Sequence, residues 1–415
     1  MVCSSAVWHT LVPHSAQDAG RVTGVIAGPR ARIDSIDLLR GLIIIVMALD
    51  HSRDFFGDLA ASPTDLATTT PALFFTRCVT HLCAPVFFLL TGTGARLSLG
   101  RMTKRALSRF LLTRGLWLLF LELVVMRFAL QFNLDYQVTV ITVLWGLGWA
   151  MIVLAALIWL PLWAIATFGT ALVAGHNALD GIDSGSFGAL SPLWTVLHQP
   201  GVVFSNARVL VLVSYVLIPW VGVTAIGYVL GGVYQWTAAS RQRFLLRLGV
   251  GLVAGFFLLR FANVYGDPST WSWGKSPLWT VMSFLNTSKY PPSLLFLLMT
   301  LGPAVLLLRV FDGGAPVPLR PALSIGKVPL FFYVLHFYLI HLFAVAASYL
   351  RFGTVEEMLR SPDLQHFPFS APAGWYLGLP MVYLVWIVVV IALYPLCRWY
   401  AGVKRRRNDW WLSYL

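Results

Sequence analysis

Four ionisable residues close the first long apolar run of this 415-residue chain: Asp50, His51, Arg53 and Asp54. They end the stretch RIDSIDLLRGLIIIVMALDHSRDFFG, Arg32 to Gly57. Histidine titrates near neutral pH, so His51 suits the work of taking a proton from an attacking hydroxyl or amine. On a helix Asp54 lies three residues on, within reach to orient the ring, and Asp50 can serve from the adjacent face. Arg77 and His81, i and i+4, make a second candidate pair at the start of the next apolar run. The arginine disfavours a protonated histidine beside it and so favours the base form. A base of this kind assists any reaction in which a nucleophile sheds a proton as it attacks, acyl transfer from a thioester among them.

The element that must position the first set is a helix. Asp37, Arg40, Ile44, Met47, His51 and Asp54 follow a 3,4,3,4,3 spacing that places them on one face. At about 1.5 Å per residue, Asp37 and Asp54 stand roughly 25 Å apart along the axis, close to the roughly 30 Å of a bilayer core. Charge left unpaired in hydrocarbon is costly, so this stripe must face protein or water. Charges that merely flank a span account for Asp37 and Asp54, but less well for Arg40 or for Asp50 with His51.

Composition sets the class. Hydrophobic residues make up 58% of the chain and charged residues 11%, which predicts an all-α, polytopic integral membrane protein. Apolar runs recur at about Ile36–Phe56, Leu73–Leu97, Phe110–Leu130, Val138–Leu160, a short one from Pro161 to Ala174, Val209–Val233, Phe244–Val264, Ser293–Val310, Leu323–Leu350 and Trp375–Tyr400. That is about ten transmembrane helices. With ten, every basic cluster falls on one side: Arg96 to Arg109, Arg241 to Arg247, and Arg398 with Lys404 to Arg407. The loop after the first span and the segment Gly175–Asn206 carry aspartates and, apart from histidines, no basic residue. The positive-inside rule then puts both termini in the cytoplasm. The expected organisation is a disordered tail over 1–30, a membrane domain over 31–403 and a basic cytoplasmic tail over 404–415. The net charge of +13 reflects topology, and no nucleic-acid partner is expected. Cys3, Cys78, Cys83 and Cys397 read as free thiols.

Other features are weighed by depth. Glu122 falls deep in the third span, where a carboxylate needs a partner or a proton. His336 lies midway along the ninth span and His341 nearer the outer face; for each, a satisfied contact between helices competes with a site role. Lys289 and Tyr290 lie in an outer segment. GTGARLSLG, Gly92 to Gly100, ends a span and reads as close packing of small residues, with a phosphate role open beside its arginines. No His-Glu-x-x-His motif or facing cysteine pair suggests a metal, and no P-loop suggests nucleotide hydrolysis.

Four segments carry a resemblance: Asp37-Leu38-Leu39-Arg40-Gly41 running to His51; His81-Leu82-Cys83-Ala84-Pro85-Val86-Phe87 with Gly92; Tyr290-Pro291-Pro292-Ser293 with Met299 to Pro303; and Gly326-Lys327-Val328-Pro329 running to His336. They resemble the heparan-α-glucosaminide N-acetyltransferase-like family of transmembrane acyltransferases, in its bacterial branch. The resemblance implies a multi-helix fold that takes acetyl or another acyl group from cytosolic acyl-CoA. The group is delivered to an acceptor across the membrane, a sugar, glycan or other small molecule. The family's loop histidine has no counterpart in Phe56–Thr80, so the catalytic candidates are His51, Asp54, Asp50 and His81. Arg40, Arg96 and Arg101, with Lys104 and Arg105, are candidates for the CoA phosphates. Arg53, Arg77, Lys289, Tyr290 and His336 are candidates for acceptor binding. Acetyl-CoA is expected as acyl donor with no metal, lipid as surroundings, and a bacterial plasma (inner) membrane as location. The sequence does not indicate an oligomeric state. The competing class is a proton-coupled small-molecule transporter, which would also place Glu122, His336 and Asp50 in the membrane interior.

Overall fold

The structure is a computed structural model that describes residues 33–58, 62–407 and 409–414. The expected tail over 1–30, with Cys3, lies outside the described residues. Among the described residues 70% are helical. In order come α1 (Asp34–Phe56), α2 (Pro71–Thr80), α3 (Cys83–Ser98), α4 (Lys104–Phe120), a π-helical turn Leu121–Met126 and α5 (Arg127–Gln131). Then follow β1 (Val138–Ile141), α6 (Val143–Leu157), α7 (Leu162–Gly175), α8 (Ser191–Leu197), β2 (Gly201–Ser205), β3 (Leu210–Val213), α9 (Leu217–Leu230) and α10 (Ala238–Ala262). The last five are α11 (Pro277–Leu285), α12 (Leu294–Phe311), α13 (Arg320–Gly326), α14 (Pro329–Phe352) and α15 (Leu379–Arg406).

Each of the ten expected runs contains a helix. Among the described residues, seven helical segments are long and apolar enough to cross a membrane by length and composition: Pro71–Ser98, Leu162–Leu179, Leu217–Gln235, Ala238–Ala262, Leu294–Phe311, Pro329–Phe352 and Leu379–Arg406. α1 falls outside that set because of its charges, and α6 because of its length. Two span starts differ from expectation. Val138–Ile141 and Leu210–Val213 are strands, pairing parallel as β1 and β3, with β2 antiparallel on β3's other edge. Both are β-branched-rich apolar tetrads, which strand and helix accept alike when periodicity is all that is read.

α1 is the hub. Fifteen of its 23 residues are buried, and it packs against α2, α3, α12, α13, α14 and α15. By contrast, only 22% of the apolar windows of α10 and of α15 is buried, which leaves those helices at the rim. A helix with seven acids and bases needs this central place, because surrounding helices supply the partners that lipid cannot. Its stripe faces protein as expected: Ile44 and Met47 are buried, Arg40 meets α13, and His51 meets α14.

The second span breaks where Pro85 requires. α2 ends at Thr80, His81 and Leu82 form a turn, and α3 starts at Cys83. Pro85 has no N–H for the carbonyl of His81, and its ring crowds that carbonyl. Gly92 earns its place at a helix crossing, since a β-carbon there would stand 2.0 Å from the carbonyl oxygen of Thr224 in α9. Small residues let two backbones approach this closely. Gly94 faces open space. Cys78, Cys83 and Cys397 are free thiols.

Candidate active site

The end of α1, the α2–α3 break, the segment before α12 and the middle of α14 bring together most of the site candidates. Nδ1 of His51 lies 2.7 Å from Nε2 of His336. Phe337 tilts against the His51 ring at 4.1 Å between centroids, and Tyr333 stands edge-on at 6.4 Å. His336 is fully buried, and its Nδ1 lies 3.2 Å from the carbonyl oxygen of Phe332, one turn earlier in α14.

These contacts assign the tautomers. A carbonyl only accepts, so the His336 proton sits on Nδ1 and its Nε2 carries a lone pair. His51 must then donate from Nδ1, which leaves Nε2 of His51 as the basic nitrogen. His336 thus orients His51 and can hold an imidazolium there through the same hydrogen bond.

Asp50 is the charge centre beside this pair. Its carboxylate pairs with Arg77 Nη1, lies 3.2 Å from Arg53 Nη2, and accepts from the Thr80 hydroxyl at 3.2 Å. Asp54 takes Arg53 Nη2 at 2.7 Å. The carboxylate nearest in sequence therefore stays off the His51 ring, and the ring's hydrogen-bonding partner is His336. Lys289 reaches this cluster electrostatically, acting on Asp50, His51 and His81. Its ammonium lies 5.1 Å from the ring centre of Tyr290, which is exposed and stands edge-on to Tyr215 at 5.7 Å. His81 is buried against Phe296 at 5.2 Å, and its Nδ1 makes no hydrogen bond. The Arg77 guanidinium goes to Asp50 rather than to His81.

His341 stands apart from the cluster. Its two ring nitrogens meet the carbonyls of Ala129 at 2.9 Å and Met358 at 3.0 Å. That is a polar contact between elements, in which the single N–H of a neutral ring donates to one of the two carbonyls. Glu122 is likewise occupied: it is buried and accepts the backbone N–H of Thr142, just before α6. A carboxylate there meets the exposed N–H groups and positive end of the α6 dipole.

At the opposite end of α1, Arg40 pairs with Asp37 at 2.9 Å and reaches the carbonyl of Gly326 at 3.5 Å. Arg114 is close enough for repulsion between the two guanidinium charges. Arg96 lies over the ring of Tyr228 at 5.5 Å, and Arg101 is exposed. Among the described residues no hydrogen bond or ion pair joins Arg40, Arg96 and Arg101.

Sequence reasoning missed Thr80, Tyr333 and Phe337. Thr80 and Tyr333 each fall three residues from a candidate, from Arg77 and His336, which is the spacing that would have found them. Phe337 follows His336 directly, and only the fold shows its ring against His51.

A family model described as heparan-alpha-glucosaminide N-acetyltransferase, catalytic, matches residues 32–255, more than half of the chain. The chain belongs to this family. The match covers α1 with Arg40, Asp50 and His51, and the α2–α3 break with Arg77 and His81. Lys289, Tyr290 and His336 lie beyond it, yet the fold returns them to the same place. Membership in the heparan-alpha-glucosaminide N-acetyltransferase catalytic family, with the seven apolar helices, makes this an integral membrane protein of an acyltransferase family. A search of the curated proteins returns no match.

Proposed function

We propose that the chain transfers an acetyl group from cytosolic acetyl-CoA to a hydroxyl or amine of a sugar-like acceptor on the other side of the bacterial plasma membrane. His51 is the general base. The observation that carries this reading is the His51–His336 hydrogen bond, which leaves Nε2 of His51 as a lone-pair nitrogen beside the Asp50 cluster. Nε2 takes the proton of the acceptor as its oxygen or nitrogen bonds to the thioester carbonyl carbon. The carbon–sulfur bond then breaks, and the CoA thiolate leaves to be protonated. Asp50, adjacent in the chain, favours the imidazolium formed at that step.

Arg40 stands eleven residues before His51, about 16 Å along the helix axis. A donor whose phosphates sit on the Arg40 side must therefore reach inward with its thioester arm to meet His51. Lys289, Tyr290, Arg53 and Arg77 would hold the acceptor from the outer side. Acyl chains longer than acetyl, and a transport function, are the readings this one displaces.

The test is release of free CoA thiol by purified protein in lipid nanodiscs supplied with acetyl-CoA and a panel of amino sugars and neutral glycans. Acceptor-dependent thiol release supports the reading. Acceptor uptake into sealed vesicles without thioester cleavage would replace it with transport.

A further inference from the structure

Away from the His51 cluster, the segment between α7 and β2 gathers His176, Asp180 and His198. One ligand atom from each lies within 4.8 Å of the other two. Both rings are buried and Asp180 is at the surface. His176 is the anomaly: it is 1% exposed, yet neither ring nitrogen makes a well-formed hydrogen bond. A buried imidazole without partners is costly unless something else occupies its lone pair. The backbone carbonyl of Pro292 acts on this ring as a hydrogen-bond acceptor. A ligating histidine commonly gives its second nitrogen to just such a carbonyl. His198 Nε2 lies 2.9 Å from the carbonyl of His176, to which it donates, and 3.5 Å from the Asp180 carboxylate, so a metal bound at this nitrogen displaces that proton and its hydrogen bond. Asp180 is steadied by the side-chain amide of Asn177 at 2.8 Å.

We infer that His176, Asp180 and His198 form a binding site for a divalent transition metal, zinc by its two-imidazole, one-carboxylate donor set. Tetrahedral zinc with bonds of about 2.0 Å holds its ligands about 3.3 Å apart, so the trio closes inward when it binds. The exposed Asp180 is the ligand free to make most of that movement. Three protein ligands leave a fourth position for water. The metal closes the loop from His176 to His198 and presses it onto the first residue of α12, where Asn177 already accepts the backbone N–H of Leu294 at 2.8 Å, and onto the segment before it. That segment carries Lys289 and Tyr290. No short-range spacing motif announces this site, because its ligands converge only in the fold.

The test uses the full-length protein in detergent with its purification tag removed, incubated with zinc chloride, desalted and assayed for metal by mass spectrometry. About one zinc per chain is expected. Asp180→Asn, at the surface and safe for folding, should weaken affinity at least about ten-fold, and His176→Gln should do the same. Cobalt(II) should give the visible absorption of a tetrahedral nitrogen–oxygen site in the wild type, lost in Asp180→Asn. Failure of the wild type to retain zinc above a buffer control, or wild-type retention by a monodisperse Asp180→Asn protein, would overturn the proposal.

Discussion

Gly41 of α1 and Gly326 of α13 lie backbone against backbone. A β-carbon on Gly41 would stand 1.8 Å from the carbonyl oxygen of Ala322, and one on Gly326 would stand 1.7 Å from that of Asp37. This contact joins the first and last of the four segments that carry the family resemblance. It also sets how closely α14, which follows α13, can bring His336 to His51. Gly41→Ala must push the two backbones apart, and overpacking of this kind costs roughly 1–3 kcal/mol, more when backbone is struck. We expect a lower apparent melting temperature in detergent and loss of activity. Gly94→Ala, which enters open space, should be neutral or slightly stabilising, since alanine is the better helix former.

The Asp50–Arg77 pair ties α1 to α2 beside the proposed base. Removing Asp50 leaves the Arg77 charge buried without its partner, a loss of about 3–5 kcal/mol, whereas removing Arg77 leaves Asp50 with Arg53 and Thr80. Asp50→Ala should therefore destabilise more than Arg77→Ala, while the double variant should lose less than the sum. A thermodynamic cycle built from the four melting curves reads this coupling directly, and additivity would show that the two charges act independently.

Glu122 separates catalysis from transport. Its bond to the Thr142 amide makes it a cap, so Glu122→Gln, which keeps an acceptor, should retain activity. Glu122→Ala should cost about 0.5–2 kcal/mol of stability. A proton carrier would instead fail in Glu122→Gln, with coupling to pH abolished while the protein stays folded.

How far the sequence could be read depended on whether a feature was local. Each of the ten apolar runs contains a helix because hydrophobicity and length are properties of one segment, although the second run is broken into α2 and α3. The break at His81 follows from Pro85, four residues away. The stripe on α1 was legible from its spacing, and the need for protein partners followed from the cost of charge in lipid. The partner itself was not legible. His51 and His336 are 285 residues apart, whereas Asp54, three residues on, is the partner that helical spacing suggests, and it pairs with Arg53 instead. The histidines of the metal trio went unread for the same reason. The strands β1 and β3 stand where the sequence reads as span starts, because runs of four residues carry no decisive period.

The orientation has its own check. Asp58 follows α1 at the His51 end, and Arg101 follows α3 at the Arg40 end; both are exposed. A cysteine at Asp58 should react with an impermeant maleimide on intact cells, and one at Arg101 should react only after lysis. The reverse pattern would invert the proposed direction of transfer.

The most direct measurement is the steady-state turnover of acetyl-CoA with acceptor by the wild type, His51→Ala, His51→Asn and His336→Ala, each confirmed to be folded and to bind acetyl-CoA. General-base assistance is worth about 10²- to 10⁴-fold. His51→Ala and His51→Asn should both lose turnover on that scale. His336→Ala, which removes only the group orienting His51, should lose less and should shift the pH at which activity appears. Near-wild-type turnover in His51→Asn would contradict the account, because an amide can fill a polar contact between helices but cannot take the proton.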